Sequence, residues 1–224
     1  MSDLKVLIGG FGRFPGAPFN PSGDIALALT RRRRPALADT RRLAHVFAVR
    51  YADVDRELPA LIARERPDIV LLFGLANRAR HIRIEQIARN RMSVLFPDAG
   101  GFRPARPAIA PGRAALRNPG PLARLVEAAR DAGVRAAPSR NAGSYLCNYI
   151  YWRALESAQV VGGPRLVAFV HVPPVKRKAR PASTKRPHHY RLADLVRASE
   201  AILVAMAALA RTQRTATLAP TKPS

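Results

Sequence analysis

The stretch Asp68-Ile-Val-Leu-Leu-Phe73 is the clearest structural signal in this chain. Five apolar residues in a row follow Pro67-Asp68 and stop at Gly74. So short a run, apolar at every position rather than at alternate ones, predicts a strand buried on both faces. Such a strand needs helices on both sides of its sheet. Upstream, residues 4–8 form another apolar run ending in Gly9-Gly10, and a Gly/Pro-rich loop fills 10–21. Ser22 is placed to cap a helix reaching about Thr30; residues 44–49 read as a strand, and 53–66 as a helix capped by Asp53 and stopped by Pro67. Downstream, 82–88 alternates like a strand, 92–121 is irregular, with six prolines between 97 and 121, and 122–132 reads as a helix. A short strand at 134–137, a helix at 143–158, a strand at 165–171 and a strong helix at 192–210 complete the pattern. This alternation predicts a single-domain, three-layer α/β/α sandwich around a twisted, mixed but largely parallel sheet. The domain is expected to span 1–210 with a basic loop at 176–191, and residues 211–224 to form a disordered polar tail. Ligands in such sheets bind beyond the carboxyl ends of the strands, which directs attention to residues 9–14, 74–76 and His171.

Composition narrows the function. Of 224 residues 48% are apolar, enough for a substantial core, and a single cysteine excludes an intrachain disulfide. The opening Met-Ser-Asp-Leu-Lys lacks the features of a signal peptide, and the longest apolar run, 201–210, is well short of the ~18 residues that span a bilayer. A soluble, cytoplasmic protein without a membrane segment is expected. The net charge of +23 suggests nucleic acid at first sight. Arginine supplies most of it, scattered along the whole chain, which reads as compositional bias. Two clusters stand out. The four arginines at 31–34 end a predicted helix and suit its dipole; 176–191, with prolines and the pair His188-His189, reads as a solvated loop. No nucleic-acid module is present and only 6% of residues are aromatic, so specific nucleic-acid binding is not expected.

Familiar ligand motifs fail on inspection. The loop Gly9-Gly10-Phe11-Gly12-Arg13-Phe14-Pro15-Gly16 resembles a dinucleotide fingerprint, but Pro15 stands where the third glycine belongs. The strand candidate ending at Val49-Arg50-Tyr51 brings no acid for a ribose. P-loop and Gly-x-Ser-x-Gly patterns do not occur. His188-His189 has no accompanying cysteine or acidic cluster, so no metal or other cofactor is expected.

The lone cysteine lies in Ser139-Arg-Asn-Ala-Gly-Ser-Tyr-Leu-Cys147-Asn148, at the start of a predicted helix. The positive end of a helix dipole favours a thiolate, the nucleophilic form. The competing reading is a small buried core residue. A nucleophile needs a base and a group to orient that base. His171 ends the strand Arg165-Leu-Val-Ala-Phe-Val-His171, a better place for a site than mid-core. Glu85 is an acid on an otherwise apolar strand; its alternative reading is an ion pair with one of the many arginines.

Taken together, four segments resemble the pyroglutamyl peptidase I family of cysteine peptidases, from the first strand through His171. Val6-Leu-Ile-Gly-Gly-Phe11-Gly-Arg-Phe14 with Asn20-Pro21-Ser22 is similar to the family's opening loop. Gly74-Leu-Ala76 with Arg80, Ile82, Glu85, Ala88 and Asn90 is similar to its glutamate motif. Asn141-Ala-Gly143-Ser-Tyr145-Leu-Cys147-Asn148 and Phe169-Val-His171-Val-Pro173 are similar to its nucleophile and histidine motifs. The resemblance implies that Cys147 attacks the amide after an N-terminal pyroglutamyl residue, that His171 is the base, and that Glu85 orients it. It also implies a ring pocket formed by Phe11, Phe14, Tyr145 and Leu146, peptides with a blocked pyroglutamyl N-terminus as substrates, and a homodimer or homotetramer. The chain departs from the family pattern at Leu75, usually Gln, and at Leu95-Phe96-Pro97-Asp98-Ala99, usually Arg-Ile-Pro-Asp-Asn. Gly9 and Arg13 replace the usual Thr and Pro. These changes keep a second reading open, a catalytically altered or inactive relative. A third is a basic nucleic-acid-binding protein on the same scaffold.

Overall fold

A computed structural model describes residues 3–14, 16–175 and 190–218. The described strands are β1 Leu4–Phe11, β2 Thr40–Phe47, β3 Ile69–Leu75, β4 Ile82–Glu85, β5 Ile87–Arg89, β6 Ala115–Arg117, β7 Ala136–Ser139 and β8 Leu166–Val172. The helices are α1 Pro21–Arg31, α2 Tyr51–Glu65, α3 Leu122–Asp131, α4 Leu146–Ser157 and α5 Leu192–Leu218. The main sheet runs β2-β1-β3-β8-β4-β7, and β5-β6 form a small antiparallel pair. All main-sheet pairings are parallel except β4 with β8.

The run at 69–73 is central, paired to β1 on one edge and to β8 on the other. Its side chains alternate between two cores. Ile69, Leu71 and Phe73 pack among residues of α1, α3 and α5. Val70 and Leu72 pack among residues of α2 and α4. An unbroken apolar run is what a strand covered on both faces requires. The three-layer α/β/α architecture with a largely parallel, mixed sheet is therefore present.

Several elements differ locally from the sequence reading. The cap of α1 is Asn20 rather than Ser22: Asn20 Oδ1 accepts from the Ser22 N–H and hydroxyl, and Pro21 takes the first helical position, where no N–H is needed. The Ser22 hydroxyl instead serves β1, accepting from the Phe11 N–H at 3.0 Å. The second strand begins earlier, at Thr40. α2 starts at Tyr51 with no side-chain cap, so Asp53 lies inside its first turn. The stretch 82–88 is two strands in two sheets, because the chain turns at Gln86, whose N–H donates to Ser139 and whose carbonyl accepts from Asn118.

α5 continues past Ala210 to Leu218. Arg211 reaches Asp39 and Arg214 reaches Asp68, so residues expected to fray are tied to distant acids. The basic stretch 176–189 lies outside the described residues. Tyr190 and Arg191, read as part of that loop, belong to the entry of α5. Tyr190 is buried and accepts from the Arg135 N–H, while the Arg191 N–H donates to Asp194. In the first basic cluster, Arg32 and Arg34 both donate to buried Glu200 of α5. That part of the charge is used within the fold. Among the described residues, no helix is long and apolar enough to cross a membrane.

Candidate active site

β8 carries His171 to the carboxyl edge of the sheet, opposite Gly74 in the β3 register. The ring is buried, and its Nδ1 lies 2.8 Å from Glu85 Oε1. Glu85 is fully buried; its second oxygen accepts from the Asn141 N–H at 3.2 Å. Its backbone carbonyl accepts from the Tyr151 hydroxyl at 2.7 Å. The acid is thus fixed on both sides, with the ring N–H donating to one carboxylate oxygen. That arrangement leaves Nε2 for the thiol.

Cys147 is the second residue of α4 and is half-buried. No side chain caps this helix. The first intrahelical bond runs from the Tyr149 N–H to the Tyr145 carbonyl, so the N–H groups of 146–148 have no acceptor within the helix. The thiol therefore sits where unpaired donors and the positive dipole end meet. Gly143 enters this turn with φ +84°, a conformation that favours glycine. Asn148, fully buried, pins the helix start: its Oδ1 accepts from the Arg89 N–H, and its Nδ2 donates to the carbonyls of Arg89 and Arg91.

Cys147 and His171 interact. Burial alone would push the imidazole pKa down. A neighbouring Cys147 in its thiolate form, together with the hydrogen bond and charge of Glu85, outweighs that and raises it to about 9. The group that makes the close approach feasible is Gly74. A Cβ there would lie 2.7 Å from Cys147 Sγ and 2.8 Å from the Phe169 ring.

These groups border a cavity of about 200 Å³. Phe11, Phe14, Tyr145 and Leu146 all line it with Cys147 and His171. Glu85 stands behind His171, outside the lining. Sequence reading missed Val49 and Gly143 in the lining, and Asn20, whose amide is occupied holding the loop: Nδ2 donates to the Gly12 carbonyl. It also missed the steric role of Gly74 and the pinning role of Asn148. Both lie inside the quoted motifs, but their partners are remote in sequence. Leu75 lines the cavity, whereas Leu95 is exposed. His171 is the only lining residue with a titratable nitrogen, and no arginine enters despite the basic composition. A larger open groove, about 570 Å³, runs along Leu58, Ile62, Arg153 and Val160. Its one hydroxyl, Ser157, donates to the Ala154 carbonyl, and it holds no base. Among the described residues, no group of three or more His, Cys, Asp or Glu is arranged to hold a metal ion.

A helix-borne thiol, a histidine at a strand end and a buried carboxylate on that histidine define the geometry of a cysteine hydrolase on a doubly covered sheet. The pyroglutamyl peptidase family model matches residues 4–209, and the chain belongs to that family. Pyrrolidone-carboxylate peptidase of Thermococcus kodakarensis is 34% identical over 171 residues, 76% of this chain and 81% of its own. Pyrrolidone-carboxylate peptidase 1 of Ralstonia nicotianae is 32% identical over 203 residues, 88% of this chain and 92% of its own. The solved pyrrolidone carboxyl peptidase of Thermococcus litoralis superposes with a TM-score of 0.82 at 28% identity, covering 93% of this chain and 96% of that one.

Proposed function

We infer that this protein is a cysteine exopeptidase that removes N-terminal pyroglutamate, with Cys147 as nucleophile, His171 as acid and base, and Glu85 as the orienting group. The observation that carries this reading is the meeting of Cys147 with a Glu85-paired His171 at a small cavity that no lysine, arginine or carboxylate lines. A pyroglutamyl ring is a neutral lactam, and an apolar slot of this size suits it. Phe11, Phe14, Tyr145 and Leu146 form the walls, and backbone groups supply its hydrogen bonds.

The steps follow from the geometry. His171 takes the thiol proton, giving a thiolate–imidazolium pair. The sulfur attacks the pyroglutamyl carbonyl carbon; a C–S bond forms and the carbonyl electron pair moves onto oxygen. Unpaired N–H groups at the start of α4 are suited to stabilise that oxyanion. The C–O double bond re-forms as the C–N bond breaks, and imidazolium donates its proton to the departing amine. Water then attacks the thioester while His171 takes a proton from it, and breakage of the C–S bond releases pyroglutamate and restores the thiol. Throughout, Glu85 keeps the ring oriented and stabilises its charged form.

The test is hydrolysis of a pyroglutamyl amide reporter by the wild-type protein and by Cys147→Ala. Wild-type turnover is expected, with a loss of at least roughly 10⁴-fold in the variant at unchanged thermal unfolding. A folded wild type inert toward the reporter, or a variant that stays active, would overturn the reading. The nucleic-acid alternative loses support from Arg32 and Arg34, which are engaged with Glu200.

A further inference from the structure

Among the described residues, four of the eight exposed large apolar side chains fall in one short loop. Val94, Leu95, Phe96 and Phe102 are 42%, 74%, 66% and 56% exposed. Scattered apolar residues on a surface need no explanation, whereas a cluster does. This cluster is held open by its own hydrogen bonds. Buried Asp98 accepts from the N–H groups of Gly100 and Phe102 through Oδ1, and from the Tyr51 N–H through Oδ2. The Ser93 hydroxyl accepts from the Phe96 N–H at 3.2 Å. These bonds fix the turn from Phe96 to Phe102 while the apolar side chains stay exposed.

The loop is joined to the site through Tyr145. The Tyr145 hydroxyl donates to the Pro97 carbonyl at 2.8 Å. Tyr51 lies edge-on to Tyr145 on one side and to Phe102 on the other, each with centroids 6.1 Å apart. Tyr145 also lines the cavity beside Cys147. Through Tyr145 the loop is thus in contact with the cavity lining. With the pyroglutamyl ring seated in the cavity, the scissile carbonyl lies at Cys147 and the peptide continues past Cys147 and Tyr145 of the lining.

We propose that the ledge at residues 94–102 is the subsite for the residue following the scissile amide, and that it selects peptides with an apolar or aromatic residue there. This rests on the exopeptidase reading above. Burial of that side chain against the ledge contributes binding energy remote from the reacting atoms, and kcat/KM rises accordingly. A charged side chain docked against Leu95, Phe96 and Phe102 gains no such apolar burial and loses hydration there.

The experiment compares kcat/KM for pyroglutamyl-Phe, pyroglutamyl-Gly and pyroglutamyl-Asp peptides. The full chain is used as wild type, Leu95→Ser, Phe102→Ala and, as a remote control, Val161→Ser. The expected wild-type ratio of Phe to Gly is about tenfold, the size set by burying part of one aromatic side chain. The ratio should shrink toward one in Leu95→Ser and in Phe102→Ala and persist in Val161→Ser. Leu95 is the safer site, since so exposed a side chain contributes little to folding. Hydrolysis at equal rates for all three peptides, or a ratio unmoved by Leu95→Ser, overturns this inference alone. No hydrolysis of any of them overturns the exopeptidase reading, and this inference with it. Equal ratios with a dimer that Leu95→Ser dissociates in sedimentation would assign the ledge to a second copy of the chain instead.

Discussion

Behind the floor of the cavity both oxygens of Glu85 are held, by the His171 ring and by the Asn141 N–H; on the ledge at 94–102, proposed above as its mouth, large apolar side chains face solvent. Glu85, Cys147 and His171 lie in the segments that resemble the family's motifs, whereas two of the departures from its pattern are Leu75 in the cavity lining and exposed Leu95 on the ledge. The contrast separates two tasks. Reacting groups buried in low dielectric tolerate little change, because a group left without its partner is costly. A rim that only touches the outer part of a substrate can change its chemistry without disturbing the reaction.

Substitutions at the floor should break this contrast most strongly. Glu85→Gln keeps the shape but removes the charge on His171, and kcat is expected to fall roughly 10²–10⁴-fold. The pH profile gives a sharper readout. His171 is raised to about 9, so imidazolium predominates below that pH and is lost as pH rises through it. Rate should therefore decline on the alkaline side near pH 9, as an apparent value belonging to the coupled Cys147–His171 pair. Removing the Glu85 charge should move that limb to lower pH. An unmoved limb would detach Glu85 from the chemistry.

Gly74→Ala probes the same floor from the backbone side. Its Cβ would collide with Sγ and the Phe169 ring, and at least one has to shift. A displaced nucleophile is expected to cost about 10²-fold in kcat. The crowding should also lower stability by about 1–3 kcal/mol, read from denaturant unfolding. Wild-type kcat in that variant would mean that the thiol position is not limiting.

The smallest effect is expected where floor and mouth join. Tyr145→Phe removes one hydrogen bond to the Pro97 carbonyl, a contact of about 1 kcal/mol. KM should rise by a few-fold with kcat nearly constant, as the ledge loosens. A large fall in kcat would place the Tyr145 hydroxyl in the chemistry and erase the distinction.

Much of this was legible in the sequence, for physical reasons that differ by element. The run at 69–73 announced its own burial because both faces of a central strand must be apolar. Cys147 and His171 were legible as a pair through the motifs around them, and their places at a helix start and a strand end agree with that reading. Where local pattern misled, the deciding partner was distant. Ile87 and Ala88 continue the apolar character of 82–84, yet the bonds of Gln86 to Ser139 and Asn118 divide the stretch. Arg211 and Arg214 look like tail residues until Asp39 and Asp68, far back in the chain, come beside them. The Asn20 cap was hidden by Ser22, an equally good capping residue two positions on; Pro21 at the first helical position decided between them.

β4 runs against β8, with Arg83 opposite His171 and Ile84 opposite Val170. Continuing along β4 therefore leads back beneath the histidine and away from the rim, and Glu85 approaches the ring from the interior of the protein. A parallel strand in that place would deliver its last residue to the open edge. The reversed strand gives the site a sidedness toward reagents. A thiol alkylator enters through the same opening as substrate and meets Cys147, whereas a carboxyl-activating reagent must unfold the sheet before it meets Glu85.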